Sequence, residues 1–228
     1  MSSRHLTAWC LTIALVLLLG IHPVLPGWAV NMIAMSLSNG LVVLGLMVIM
    51  RAGLVSFGHG LYFGLGGYGA ALGSVFLGIS DAFVLVLLGI VAAGLVASVL
   101  GFMMARYRGI FFALLNLAFS MLLFGVLVNS AVLGSTDGFS VTVPSYFGYV
   151  PSSAGSRVTF ILYGMICVLA CGSALFVNRY LKSTMGYIGE AIRENEVRVG
   201  YLGASVKHAI VIKYLISAVL AGMGGALT

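Results

Sequence analysis

The run 82-AFVLVLLGIVAAGLVASVLGFMMA-105 decides the class of fold. It carries no charged residue between Asp81 and Arg106. It is also long enough to cross a bilayer as a helix, which takes about 20 predominantly apolar residues. Its apolar residues are continuous and do not alternate with polar ones, which disfavours a strand of a membrane barrel. The run therefore predicts a transmembrane helix.

The rest of the chain shares this apolar character. Hydrophobic residues make up 61% of the 228 residues, charged residues only 7%, and the mean hydropathy is +1.17. A soluble domain carries about 25% charged residues, so this chain has too little polar surface to cover a globule in water. We predict an all-α membrane protein, a single domain over 1–228 that forms a polytopic bundle of about seven transmembrane helices. The predicted spans lie near 7–25, 29–50, 54–78, 82–105, 109–133, 158–178 and 208–228.

The positive charges give the predicted topology. If the spans alternate, every Lys and Arg except Arg157 falls on one side. Positive charge concentrates on the cytoplasmic side of membrane proteins, so we place the N-terminus in the cytoplasm. The net charge of +6 then needs no nucleic acid to explain it. Residues 134–157 form an extracytoplasmic loop and 179–208 a cytoplasmic one. The first segment also resembles a signal peptide, but we keep it as an uncleaved helix.

One glycine-rich run, 64-GLGGYG-69, matches the G-x-G-x-x-G pattern of dinucleotide sites. That pattern requires a preceding strand and an acidic residue about 20 positions later, and the apolar flanks supply neither. The run also resembles a potassium-filter loop, but it lacks the Thr-Val before the glycine. Spacings of four residues suit close helix packing in lipid. We therefore predict packing positions at Gly60, Gly64, Gly69 and Gly73.

Neutral polar residues inside the spans are candidates for a translocation pathway, since unpaired ones are costly in lipid. These candidates are Asn39, Ser56, His59, Asn116, Ser120 and Asn129. Hydrogen bonds between helices are the alternative role for each. The sequence offers no buried carboxylate for a proton-coupled carrier, no Walker A motif, no nucleophile–base pair and no metal cluster. We therefore expect a transport protein, not an enzyme, with no cofactor of its own.

The cytoplasmic loop contains one amphipathic stretch, 188-IGEAIRENEVRVGYLG-203. Ile188, Ile192, Val199 and Leu202 recur near helical spacing with charges between them. The stretch therefore predicts a short helix. It is either a solvated connection between two spans or a docking helix for a cytoplasmic partner.

The run 189-GEAIRENEVRVGYLGASVKHAIVIKYLISAVLAGMGGAL-227 resembles membrane permeases of ABC importers of the branched-chain amino acid type. In that family a similar A-I-R-E-N-E…L-G run forms the cytoplasmic loop. The resemblance continues in 53-GLVSFGHGLYFGLGGYGAAL-72, in 108-RGIFFALLNLAFSMLLF-124 and in Thr136-Asp137-Gly138-Phe139. It is strongest to the M-type permease of the Liv pair. Asn116 stands where the family usually has Thr. The family runs on for further helices, so we expect a chain that is truncated after Thr228. The resemblance also implies an inner (plasma) membrane of the bacterial type.

The resemblance implies a permease subunit that pairs with a second permease, with two cytoplasmic ATPases that bind ATP and Mg²⁺, and with an extracytoplasmic substrate-binding protein. The expected solutes are branched-chain amino acids. Urea and short amides, or small organic acids, are alternatives, as is a different class, a stand-alone secondary carrier or channel. Within the loop, Ile192 is the expected apolar anchor on the ATPase, and Arg193 and Glu196 are the expected polar contacts. The full set of expected coupling residues is Glu190, Ile192, Arg193, Glu194, Glu196, Arg198 and Gly203.

Overall fold

A computed structural model of the chain describes residues 3–130, 144–146 and 156–228. The regular elements in these ranges are helices. They are α1 (Ser3–Ile21), a 3-10 turn (His22–Val24), α2 (Gly27–Met50), α3 (His59–Leu77), α4 (Ala82–Met104), α5 (Gly109–Asn129), α6 (Ser156–Leu181), α7 (Thr184–Tyr201) and α8 (Val206–Ala226). The predicted fold class, an all-α membrane bundle, is confirmed.

In the described part of the chain, six helices are long and apolar enough to cross a membrane: α2, α3, α4, α5, α6 and α8. The remaining predicted span, the first, near 7–25, corresponds to α1, whose apolar part, Trp9–Ile21, is shorter than the others. The third span was predicted to start at 54 but begins at His59. Gly53, at φ +75°, turns the chain between α2 and α3, because its left-handed conformation is one that glycine adopts without steric cost.

Helix α8 lies at the centre of the bundle and α5 at its edge. In the apolar stretch of α8, 67% of the residues are buried, whereas only 17% of the residues are buried in the corresponding stretch of α5. Helices α2, α3 and α4 surround α8. The core between them includes Tyr62, Ala93, Tyr214 and Ala218.

Glycine lets α3 and α8 meet backbone to backbone. A Cβ atom on Gly66 would overlap the carbonyl of Gly222, and one on Gly225 would overlap the carbonyl of Phe63. A larger residue would force the helices apart, because membrane helices approach this closely only through small residues. None of these three glycines was among the predicted packing positions.

The four predicted packing glycines face two different helices. A Cβ on Gly69 would lie 3.0 Å from the Ala92 Cβ atom of α4. One on Gly73 would lie 2.6 Å from a Leu88 methyl group on the same helix. Gly60 and Gly64 point toward α5 and have more room, because the nearest atoms to an added Cβ are Ser120 Oγ at 3.6 Å and Leu123 Cδ2 at 3.9 Å.

Most of the predicted extracytoplasmic loop, including Thr136–Phe139, lies outside the described residues. Its described part, residues 144–146, attaches to the turn between α3 and α4. The amide of Ser145 donates to the Ser80 carbonyl at 2.6 Å, and the amide of Ala82 donates to the Ser145 carbonyl at 3.0 Å. These bonds fix this point of the loop to the end of the bundle opposite α7.

Candidate coupling surface and buried polar core

Helix α7 contacts α6 and α8 and is built of two parts. It begins after Ser183, whose side chain accepts a hydrogen bond from the Gly186 amide. It is interrupted at Asn195, where the backbone is extended (φ −159°, ψ 99°). The Asn195 side chain accepts from the Arg198 amide at 3.0 Å, so it caps the helical turn that follows. We call 184–194 the first segment of α7 and 196–201 the second segment.

This differs from the single helix predicted over 188–203. The helix starts earlier, at Thr184, because Ser183 supplies an N-terminal cap. It breaks at Asn195 because an asparagine side chain competes with the backbone for amide hydrogens. The chain leaves α7 through Gly203, which takes a left-handed conformation at φ +80°.

The apolar side of α7 packs against its own bundle. Ile192 is 6% exposed and Val199 is 4% exposed, and both belong to one buried apolar cluster with Ala209, near the start of α8. Ile192 was predicted to anchor an ATPase, but the structure gives it an inward position. The reason is general: an amphipathic helix buries its apolar stripe on the nearest apolar surface, and here that surface belongs to the same chain.

Two ion pairs hold α7 in place. Arg51, just beyond α2, pairs with Glu190 of the first segment. Arg108, just before α5, donates from Nε and Nη2 to the two carboxylate oxygens of Glu196, both at 2.8 Å. This two-bond geometry fixes orientation as well as distance. Glu196 was predicted to meet an ATPase, but its carboxylate is already engaged within the chain.

The surface that α7 leaves free combines charge with large apolar side chains. Tyr201 is 88% exposed, Leu202 85% and Val197 65%. The charged residues Arg193, Glu194 and Arg198 are exposed as well. We call these six residues the exposed face of α7. Apolar groups clustered on an otherwise charged surface are typical of a protein–protein contact.

A basic groove of about 570 Å³ adjoins this exposed face. Arg106, Arg108 and Lys207 line it, together with Glu196 and Gly200. Since only one carboxylate offsets three cations, the groove favours an acidic group of a partner.

The bundle interior holds a first polar chain around His59. The Ser217 hydroxyl donates to the Gly45 carbonyl at 2.6 Å, so it must accept from His59 Nε2, at 2.5 Å. His59 Nδ1 then accepts from the Ser56 hydroxyl at 3.1 Å. This assignment follows from the bonding pattern, and it joins α2, α3 and α8.

A second polar chain runs through two tyrosines. Tyr62 donates to Tyr214 at 2.7 Å, and Tyr214 donates to the side-chain oxygen of Asn116 at 2.5 Å. The Asn116 amide group donates to the Phe112 carbonyl at 2.8 Å. Tyr62, Tyr214 and Asn116 are each at most 3% exposed. The two tyrosine hydroxyls and the Asn116 side chain therefore each have a hydrogen-bond partner, as buried polar groups require.

The predicted pathway residues do not share one surface. Ser56, His59 and Asn116 lie inside these polar chains, whereas Asn39 and Asn129 are exposed and Ser120 is half-buried. The Asn129 side chain donates to the Gly125 carbonyl of its own helix at 2.8 Å.

Several residues that complete these contacts were missed by sequence reasoning. Arg51 and Arg108 follow the predicted second and fourth spans. Basic residues are expected there in any case, from the charge asymmetry of membrane proteins, so the sequence did not indicate that these two form ion pairs. Tyr62, Tyr214 and Ser217 are polar residues in spans, which was the available signal. Among the described residues, no group of three or more His, Cys, Asp or Glu side chains forms a metal site.

Comparison with known proteins places this chain in a family. Residues 28–228 match the family described as branched-chain amino acid transport system / permease component. The chain belongs to this permease family. It is 30% identical over 213 residues to the high-affinity branched-chain amino acid transport system permease protein LivM of Escherichia coli strain K12. It is 30% identical over 210 residues to LivM of Salmonella typhimurium strain LT2.

Both alignments cover 82% of this chain and 49% of the relative. The chain thus spans about half the length of the curated relatives it matches. No solved structure gives a significant match. The six apolar helices and the family together make this a multi-pass membrane protein of the transporter class.

Proposed function

We propose that this chain is a permease subunit of an ATP-driven ABC importer that moves a small polar solute across the inner membrane. Branched-chain amino acids are the first candidates, because the family and both LivM proteins are described by their transport. Urea, short amides and small organic acids remain alternatives for the solute. The N-terminus and α7 lie on the cytoplasmic side, where the positive charges collect.

The observation that carries the proposal is the exposed face of α7. It presents Tyr201 and Leu202 almost fully to solvent, while ion pairs on both segments hold the helix against the bundle. Large apolar groups on a rigid support suit a lasting contact with another protein. Aromatic residues are among those that contribute most to such contacts when they are buried.

A cytoplasmic ATPase fits this surface. Tyr201, Leu202 and Val197 would supply the apolar contact, and Arg193, Glu194 and Arg198 would supply the polar rim. Glu190, Ile192 and Glu196 would keep α7 on the bundle, and Gly203 would turn the chain into α8. Movement of α7 would reach α2 through Arg51, α5 through Arg108 and α8 through the apolar cluster that Ile192 shares with Ala209.

The other expected partners complete the assembly. A second permease and lipid would cover the exposed faces of the spans, above all α5. Two ATPases would bind ATP and Mg²⁺, and an extracytoplasmic binding protein would deliver the solute. With the ATP chemistry on separate subunits, this chain would contribute the pathway and the coupling contact.

The test is reconstitution of the full-length transporter with its ATPases in vesicles. The double variant Tyr201→Ala with Leu202→Ala should lose the ATPase on purification and lose solute-stimulated ATP hydrolysis. The matched control is Ile110→Ala with Phe111→Ala, two residues about as exposed but at the start of α5. Uptake that needs no ATP and follows an ion gradient would instead establish a secondary carrier.

A further inference from the structure

Lys213 is a charged residue inside a membrane span. It lies in the second turn of α8 and is 1% exposed. A charge removed from water is costly unless it has partners, and ionisable residues inside membrane spans usually have a function. The coupling surface and the two polar chains described above do not involve it.

The Lys213 ammonium joins three helices. Nζ donates to the Met185 carbonyl, in the first turn of α7, at 3.0 Å. It also lies 5.1 Å from the ring centroid of Tyr180, in the last turn of α6. A cation at this distance from an aromatic face is attracted by the ring. The ammonium therefore connects α8 to the start of α7 and to the end of α6.

Gly189 makes room for this side chain. A Cβ atom at position 189 would overlap the Cε and Nζ atoms of Lys213. The adjacent residue, Glu190, carries the carboxylate that pairs with Arg51. The Lys213 side chain thus occupies the space that Gly189 leaves on α7, at the residue next to Glu190.

An apolar side chain could fill this space without the cost of desolvating a charge, and such replacements are often neutral or stabilising. The ammonium differs from an apolar side chain because it donates a directional hydrogen bond to one main-chain carbonyl. That bond fixes the position of the first segment of α7. The second segment is held differently, by Arg108 at the start of α5. The break at Asn195 separates the two attachments.

We propose that Lys213 is a positioning residue that fixes the first segment of α7 to α8, so that force applied to the exposed face of α7 reaches the central helix of the bundle. The contact itself is independent of the proposed function. Only the source of the force, an ATPase, rests on it.

The contact is tested by hydrogen exchange on the purified full-length transporter in lipid nanodiscs. In Lys213→Met, amides of 184–194 should exchange about tenfold faster, the size expected for losing one hydrogen bond from a charged donor. The amides of 206–226 should keep their protection. Lys207→Met is the matched control, because Lys207 is an exposed lysine and the second residue of the same helix. Unchanged protection of 184–194 in a folded Lys213→Met protein would overturn the proposal.

A second variant keeps the test decisive if Lys213→Met does not fold. Gly189→Ala retains the lysine but displaces its ammonium, so it should raise exchange in 184–194 as well. Gly200→Ala is its control, because a Cβ atom added at that position of α7 meets nothing within 4 Å, and it should leave the exchange of 184–194 unchanged. Equal exchange of 184–194 in the two glycine variants would contradict the contact.

The transmission of force is tested by the number of ATP molecules hydrolysed per solute imported. This ratio should rise about fivefold in Lys213→Met, the lower end of typical coupling between sites, with the KM for ATP unchanged. A normal ratio despite faster exchange would refute the role in coupling. If the wild-type transporter imports solute without ATP, the proposed function fails, and the exchange measurement still decides whether Lys213 positions α7.

Discussion

Arg108 and Glu196, 88 residues apart in the chain, are joined by two parallel hydrogen bonds of 2.8 Å. Arg108 also donates to the carbonyls of Ala105 and Tyr107, at 2.7 and 2.9 Å. The guanidinium thus holds the turn before α5 and the second segment of α7 in one arrangement. A coupling helix needs such attachments, because it can transmit a partner's movement only through contacts of fixed geometry.

Arg108→Lys should weaken this attachment, because lysine cannot form the two-bond fork. Both side chains are partly exposed, at 32% and 41%, so we expect the unfolding free energy to fall by less than about 1 kcal/mol. Uptake by the assembled transporter should fall more clearly than stability. The exchange of partners, Arg108→Glu with Glu196→Arg, should recover part of the loss relative to either single change. Equal uptake in all variants would mean that the pair has no part in coupling.

Gly66→Ala should impair folding far more than Gly64→Ala, although the two positions lie on the same helix. A methyl group at 66 would overlap the Gly222 carbonyl, whereas one at 64 would meet its nearest atom, Leu123 Cδ2, at 3.9 Å. Overpacking of this kind typically costs about 1–3 kcal/mol. The yield of monodisperse protein in size-exclusion chromatography and its melting temperature measure the difference. If both variants behave alike, α3 and α8 do not meet at Gly66 and Gly222.

Tyr214→Phe should destabilise the bundle. The change leaves the Tyr62 hydroxyl without its acceptor and Asn116 without the donor to its side-chain oxygen. A buried polar group without a partner costs about 1–3 kcal/mol. Unfolding by heat or by detergent denaturation should show this loss. Asn129→Ala is the control, since Asn129 is exposed and its side chain donates to a carbonyl of its own helix, and it should leave stability nearly unchanged.

The proposed orientation predicts opposite labelling of two cysteine substitutions in intact cells. Ser153→Cys, in the 134–157 segment, should react with an impermeant reagent. Lys182→Cys, at an exposed position just after α6, should react only after the cells are opened. The reverse pattern would place α7 outside the cell, where no ATPase could reach it.

Composition and local pattern determined the class of this protein. Apolar runs of spanning length predicted the helices, since burial in lipid depends on the residues of each segment alone. The amphipathic stretch in the loop between α6 and α8 predicted a helix there, although not its earlier start or its break at Asn195. The family resemblance added the transporter class, and the comparisons bear it out.

Only the tertiary structure decided which side of α7 is available to a partner. Periodicity shows that Ile192 belongs to an apolar stripe, but it does not show whether the chain's own α8 or another protein covers that stripe. Likewise, Glu196 is a free charge in the sequence and becomes a bonded one only when folding brings Arg108 to it. Gly66 and Gly64 look equivalent until α8 crosses α3 at one of them. In each case the deciding contact is between residues far apart in the chain, and local pattern carries no information about which distant surface a side chain will meet.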